Sequence, residues 1–267
     1  MDKIDAALKD FRDMDELSSR FSIIHRLNPL AKFIITVYYI MMVVSCDKYD
    51  LNRLAIMVVY PITMFGLSDS SFKSFVHKLR FVLPLVMAVG IINPFLDHTK
   101  LLTIGQFTVT GGLVSMITLM IKGIFSLMAS YILVATTEFD ALMAALRKIH
   151  VPGVIVTLML LTYRYIAIMM EEVSVMTMAY KLRAPGQKGI HYSAWGSFLG
   201  QLLLRSMDRA GEIFSAMTLR GFDGSYIYAH VEGLHARDLG YITLSFASLL
   251  IFRMYDVASM LGKLWIR

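Results

Sequence analysis

Apolar residues run in long blocks along this chain, and polar residues gather at the breaks. The first block covers 30–46. It is opened by Asn28-Pro29, an N-cap residue followed by a proline at the first helical position. Lys32 sits at its base, where a long side chain can snorkel. The second block, 54–67, is short for a hydrocarbon core of about 30 Å. Pro61 kinks it, and a start nearer Asp50 would lengthen it. The third, 81–96, contains Pro84 and closes at Asn93-Pro94. Stretch 68–80, with Lys73, His77, Lys78 and Arg80, reads as a loop. So does 97–110, with 101–104 as a candidate embedded segment. The fourth block, 112–136, is long enough to span outright and is interrupted only by Lys122. The last, 239–257, carries Arg253 near its outer end, placed to snorkel to the headgroups.

Between the fourth and last blocks the periodicity becomes amphipathic. Thr137 and Asp140 form a capping-box-like start, and Phe139, Leu142, Met143, Leu146 and Ile149 share one helical face. Pro152 opens a helix to Arg183, apolar over 154–170 and mixed after Glu171-Glu172. A Gly/Pro-rich linker, 184–191, leads to a further helix through Arg220. Gly196-x-x-x-Gly200 in it would permit a close backbone crossing or be incidental. Both helices end on the same pattern: Ala179-Tyr180-Lys181-Leu182-Arg183-Ala184 and Ala216-Met217-Thr218-Leu219-Arg220-Gly221. Residues four apart share a face, so each end presents a small residue and one long cation. A cation there also complements the helix dipole. Two matched ends suggest two prongs that plug into a partner.

Charge orients the chain. Of 267 residues 57% are hydrophobic and 17% charged, with mean hydropathy +0.61, which points to a membrane protein. The net charge is +6. No aromatic-interleaved basic stripe accompanies it, so nucleic acid is not an expected partner. Were 154–170 to cross the membrane, Lys181, Arg183, Lys188, Arg205, Arg209, Arg220 and Arg237 would lie outside, against the positive-inside rule. The segment is therefore read as uncrossed, lying against the membrane face. The charged N-terminus, 1–27, lacks the apolar core of a signal peptide.

Catalytic and metal motifs are missing from the sequence. Cys46 is the single cysteine, which rules out an internal disulfide and a cysteine cluster. The seven histidines make no i, i+4 pair on a confident helix. There is no H-E-x-x-H, P-loop or G-x-S-x-G. Asp13-Met14-Asp15-Glu16 reads as a solvated face. Lys122 reads either as a packing or water-facing lysine or as a functional intramembrane charge.

The chain resembles the transmembrane T components of energy-coupling factor (ECF) type ABC transporters, and more closely the cobalt-transport type, CbiQ. The resemblance rests on several segments in order: His25-Arg26-Leu27-Asn28-Pro29-Leu30-Ala31-Lys32, Leu83-Pro84, Asn93-Pro94-Phe95, Ala135-Thr136-Thr137, Ala145-Leu146-Arg147 with Val151-Pro152, and Tyr163-Arg164-Tyr165 with Glu171-Glu172. The two arginine endings complete it, of which Ala216 to Phe222 is the most specific. The family usually has Gly after the first arginine, where this chain has Ala184.

The apolar blocks and the charge placement predict an all-α polytopic membrane protein of about five transmembrane helices, with a cytoplasmic α-helical coupling module inserted before the last span, and the resemblance agrees with this architecture. Residues 1–137 would form the N-terminal cytoplasmic segment and helices one to four, 138–237 the coupling helices, and 238–267 the last span. The resemblance implies docking of two ATP-binding cassette ATPases on Ala179, Arg183, Ala184 and on Ala216, Arg220, Gly221. A small membrane S component would bind the substrate, with ATP and Mg held by the ATPases and no cofactor or catalytic residue in this chain. The location would be a bacterial or archaeal cell membrane, in contact with lipid, with the N-terminus and coupling helices cytoplasmic. Cobalt is the expected cargo, with nickel or a vitamin as competitors. An ordinary ABC importer permease docking through 138–152 is a second reading. An intramembrane prenyl transferase or protease lacks its aspartates or its Ser/His pair.

Overall fold

The computed structural model describes residues 24–68, 72–97, 99–104, 107–187, 189–222 and 235–254, with positions 9, 22, 224 and 233. Lys188 and residues 255–257 of the expected last span lie outside them. The chain is an all-α polytopic membrane protein, apart from one short hairpin. Among the described residues, three helices are long and apolar enough to cross a membrane: Ser74–Phe95, Gly111–Thr136 and Gly153–Arg183. Shorter apolar helices cover Pro29–Val44 and Leu51–Leu67. The chain divides into two compact units. Leu17–Glu138 with Glu232–Arg267 form one, here the scaffold unit, and Phe139–Val231 fall in the other, the insert unit.

The scaffold unit begins with α1 (Pro29–Val44), where the Asn28 side chain accepts from the Leu30 N–H at 3.0 Å. The second apolar block is two helices, α2 (Leu51–Ile56) and α3 (Val59–Leu67). The break lies one turn before Pro61. A proline has no N–H for the carbonyl four residues back, here that of Met57. The Tyr39 hydroxyl donates to that carbonyl at 2.9 Å.

Helix α4 (Phe72–Gly90) starts well before the expected position 81. Lys73, His77, Lys78 and Arg80 are thus on a helix and not in a loop. Phe75 is the reason: it is buried against Phe65 and Tyr131, with ring centroids 5.9 and 5.6 Å away. Lys78 lies over the Tyr131 ring at 5.2 Å. A single-turn helix, α5 (Asn93–Leu96), follows. The expected loop at 97–110 is largely an antiparallel hairpin, β1 (Lys100–Ile104) with β2 (Phe107–Thr110).

Helix α6 (Gly111–Thr136) packs against α1 to α5 and is the axis of this unit. A Cβ at Gly112 would come within 2.5 Å of Pro94 Cα and 2.8 Å of Asn93 O, so only glycine lets α5 sit on the start of α6. The last described helix of the unit, α10 (Ala236–Met254), packs on α1 through stacked Tyr38 and Phe246 rings 4.3 Å apart.

Two intramembrane cations meet at the far end of α1. Lys122 donates to the carbonyls of Val44, at 3.1 Å, and Cys46. Arg253 donates to Ser45 O at 2.7 Å and contacts Cys46 Sγ at 3.0 Å. A helix C-terminus leaves carbonyls without intrahelical partners, and two cations from neighbouring helices satisfy them here. Beside them, outside the apolar blocks, Lys48 pairs with Asp97 at 2.7 Å and Tyr49 donates to the same carboxylate. Hydrogen bonds from Lys48, then Tyr49, then Thr99 hold the Asp97 carboxyl well below the usual carboxylate range. The bond to Asp97, followed by that to Tyr49, raises the Lys48 ammonium above its ordinary value.

Candidate functional site

The insert unit consists of α7 (Phe139–Lys148), α8 (Gly153–Arg183) and, after a 3-10 turn at Tyr192–Ala194, α9 (Trp195–Leu219). The amphipathic face expected on α7 forms except at Ile149, which lies past the helix end and is exposed: Met143 packs with Val156 and Leu160 of α8, flanked by Phe139, Leu142 and Leu146. The Thr137 cap does not. Its hydroxyl is buried without a partner, because Thr137 closes α6 two residues before α7 begins. Asp140 instead takes a 2.5 Å ion pair from Arg164, beside Phe139 and Tyr163 rings stacked 4.0 Å apart. Helix α7 turns into α8 through His150 at φ 67°. Its N–H reaches Arg147 O at 3.1 Å and the next N–H reaches Leu146 O at 3.4 Å, which closes the helix end.

Helices α8 and α9 are joined midway by an ion pair between Glu172 and Arg205. A groove of about 570 Å³ opens between the first half of α8 and the second half of α9, lined by Leu158, Tyr165, Met169, Ile213 and Phe214 among others. A Cβ on Gly196 or Gly200 would meet nothing within 4 Å, so neither glycine marks a close crossing within this chain.

The two expected endings sit on separate helix ends. Helix α8 stops at Arg183, with Ala184 closing it through its N–H to Tyr180 O at 3.0 Å. Ala184 has φ −127°, which any residue adopts. The reversal comes two residues later, at Gly186 with φ 94°. The linker is held back by Tyr180, whose hydroxyl donates to Gln187 at 2.9 Å and accepts from the His191 N–H at 3.2 Å.

Helix α9 ends differently, with Arg220 as the cap. Gly221 has φ 84°, its N–H bonds Thr218 O at 3.0 Å, and the Phe222 N–H bonds Met217 O at 3.0 Å. This is a Schellman end, which places its glycine for backbone reasons. Gly221 therefore shapes the helix end, and Ala184 is allowed at the first ending because that end needs no positive φ.

Ala179, Arg183, Ala216 and Arg220 are all exposed, and Ala184 is half-buried. Among the described residues, neither arginine side chain has a hydrogen-bond or ion-pair partner, and the two endings share no contact of that kind. The structure adds a residue that the Ala–Arg spacing left unnoticed. Leu182 is 78% and Leu219 89% exposed, and each directly precedes its arginine. The signal was present as a repeated Leu-Arg, but a leucine in an apolar chain does not stand out. Among the described residues, no three His, Cys, Asp or Glu side chains converge as metal ligands.

Comparison with known proteins places this arrangement. The CbiQ family, described as cobalt transport protein, matches residues 21–229. The chain belongs to the CbiQ family. It is 28% identical over 219 residues to the energy-coupling factor transporter transmembrane protein EcfT of Leuconostoc gelidum subsp. gasicomitatum, covering 74% of this chain and 79% of the relative. It is 30% identical over 110 residues to the nickel permease LarQ of Lactiplantibacillus plantarum, 41% of this chain and 40% of that protein. The cobalt transport protein CbiQ of Rhodobacter capsulatus is 32% identical over 95 residues, 34% of this chain and 38% of its own length. This CbiQ-type chain is thus a multi-pass transmembrane component of ECF transporters, which work as complexes.

Proposed function

We propose that this chain is the energy-coupling subunit of an ECF-type importer for a transition-metal cation, cobalt before nickel. It links ATP hydrolysis by two cytosolic ATPases to movement of a separate membrane subunit that binds the substrate. The observation that carries this reading is the pair of exposed, unpartnered Leu-Arg helix ends, Leu182-Arg183 and Leu219-Arg220. An arginine forms forked, charge-assisted bonds with carboxylates, and an exposed leucine beside it buries apolar area on docking. Each end therefore suits an apolar-floored groove with an acidic rim. ATP and Mg belong to the ATPases, and this chain has no catalytic role of its own.

The positive-inside argument keeps the N-terminus and the insert cytoplasmic. Gly153–Arg183 then lies along the membrane face although its length and composition would let it cross. The names of the relatives support metal uptake; vitamin uptake is the competing cargo class.

Co-purification tests the reading. The chain should recover an ATPase pair and a small membrane protein, and cells carrying the complete complex should accumulate radiolabelled Co²⁺. Retention of the ATPases by an Arg183→Glu, Arg220→Glu double variant would refute the docking roles. Uptake of Ni²⁺ or a vitamin in place of Co²⁺ would reassign only the cargo. A homodimer docking through residues 138–152 would favour the ordinary permease.

A further inference from the structure

The Asn28-Pro29 to Lys32 motif and Ala135-Thr136-Thr137 are not used by either docking end, yet the fold brings them together with Asp238. Lys32 is 4% and Asp238 3% exposed. The Lys32 ammonium donates to the Thr136 carbonyl, the last of α6, at 2.6 Å. Asp238, in the first turn of α10, accepts from the Asn28 N–H at 2.8 Å through one oxygen and from the His235 N–H at 2.9 Å through the other. Lys32 and Asp238 make no direct ion pair, but Asp238, and after it Glu138, are the carboxylates whose charge acts on the Lys32 ammonium. One buried pair of opposite charges thus ties three helix ends: the start of α1, the end of α6 and the start of α10.

These ends are also where the chain passes between units. The insert unit begins at Phe139, three residues after Thr136, and closes at Val231, seven before Asp238. The insert is joined to the spans by the chain on either side of it, directly after Thr136 and ahead of Asp238, the two residues held in this clasp. Charge-assisted bonds away from water are strong and short-ranged, so a small displacement of either segment must carry α1 along or break them.

We propose that the Lys32–Thr136 and Asp238–Asn28 clasp is the joint that transmits motion of the insert unit to the spans. This rests on the coupling function above. Lys32 and Asp238 are positioning residues that act away from the ATPase contacts.

The test uses the complete complex in proteoliposomes, reading ATPase co-purification, ATP hydrolysis and ⁵⁷Co²⁺ uptake in parallel. Asp238→Asn keeps the size and loses the charge; Lys32→Met loses the donor. Both should retain the ATPases and continue to hydrolyse ATP, while uptake per ATP falls about tenfold, a typical coupling between sites. Lys32→Arg should restore uptake. Should Lys32→Met not reach the membrane, Asp238→Asn carries the same comparison. Unchanged uptake per ATP in Asp238→Asn overturns the clasp alone. Equal loss of ATPase recruitment and uptake, unrescued by Lys32→Arg, marks a folding role and also overturns it. A wild-type chain that recruits no ATPase overturns the coupling function on which the clasp rests.

Discussion

Three cations of the scaffold unit are bonded to carbonyls at helix ends, whereas the two arginines that end the insert unit's helices are left outward-facing. In the scaffold unit, Lys32, Lys122 and Arg253 each donate to backbone carbonyls at the end of a neighbouring helix. In the insert unit, Arg183 and Arg220 stand at the ends of their own helices, exposed and without a partner among the described residues. Lys32 lies in the first turn of its own helix and Lys122 in mid-helix, whereas Arg183 and Arg220 stand at C-terminal ends, where the dipole favours positive charge. The difference is whether another helix end is within reach. A buried cation must be satisfied or it costs several kcal/mol, which holds for Lys32; Lys122 and Arg253 are half-buried and likewise bonded to carbonyls of the scaffold unit. An exposed cation has water, and remains available for another protein.

The comparison can be broken most forcefully at the insert. Reversing both arginines, Arg183→Glu with Arg220→Glu, should abolish ATPase recruitment; each lost pair is worth about 2–5 kcal/mol. Pull-down of the ATPases measures it, and thermal unfolding of the chain alone should be unchanged. Lys122→Met should do the reverse. Leaving the carbonyls of Val44 and Cys46 short of a charged donor costs about 1.5–3 kcal/mol. The melting temperature in detergent should fall while recruitment persists.

The two endings can also be set against each other. Gly221→Ala forces a Cβ into a left-handed position and costs roughly 1–2 kcal/mol locally. Amide exchange should report fraying at 217–222, with weaker recruitment through that end only. Ala184→Gly, at an ordinary φ, should leave the first ending working. The smallest effect belongs to the Lys48–Asp97 pair, which is largely exposed. The Asp97 carboxyl lies below its unfolded value, so its stabilisation is present above about pH 4 and lost as pH falls through the folded value. Lys48 is raised, so its share is present below about pH 10 and lost as pH rises through its folded value. The melting difference between wild type and Asp97→Asn should be flat between about pH 5 and 9 and narrow on the acid side.

Several residues that carry the family resemblance serve as joints. Arg164 pairs with Asp140, Glu172 with Arg205, Asn93 donates to Ser115 at 3.2 Å, and Lys32 holds Thr136. Of these motifs, the two Leu-Arg endings are outward-facing, with an arginine that has no hydrogen-bond or ion-pair partner among the described residues. A motif shared by a family is thus evidence for its fold first, and for its docking only where the side chain stays free.

The apolar blocks, Asn28-Pro29, the amphipathic face of α7 and the two arginine endings could be read directly, because each depends on residues within one or two helical turns. The early start of α4 could not, since it depends on Phe75 meeting Phe65 and Tyr131. Nor could the hairpin, the unpartnered Thr137, the capping roles of Lys122 and Arg253, or the clasp at Asp238, 210 residues from Asn28. Sequence by itself determined where the main helices lie and which of their ends carry a cation, because propensity, caps and periodicity are local. Only the tertiary structure decided which cations are spent inside the protein, because that depends on carbonyls supplied by helices distant in the chain.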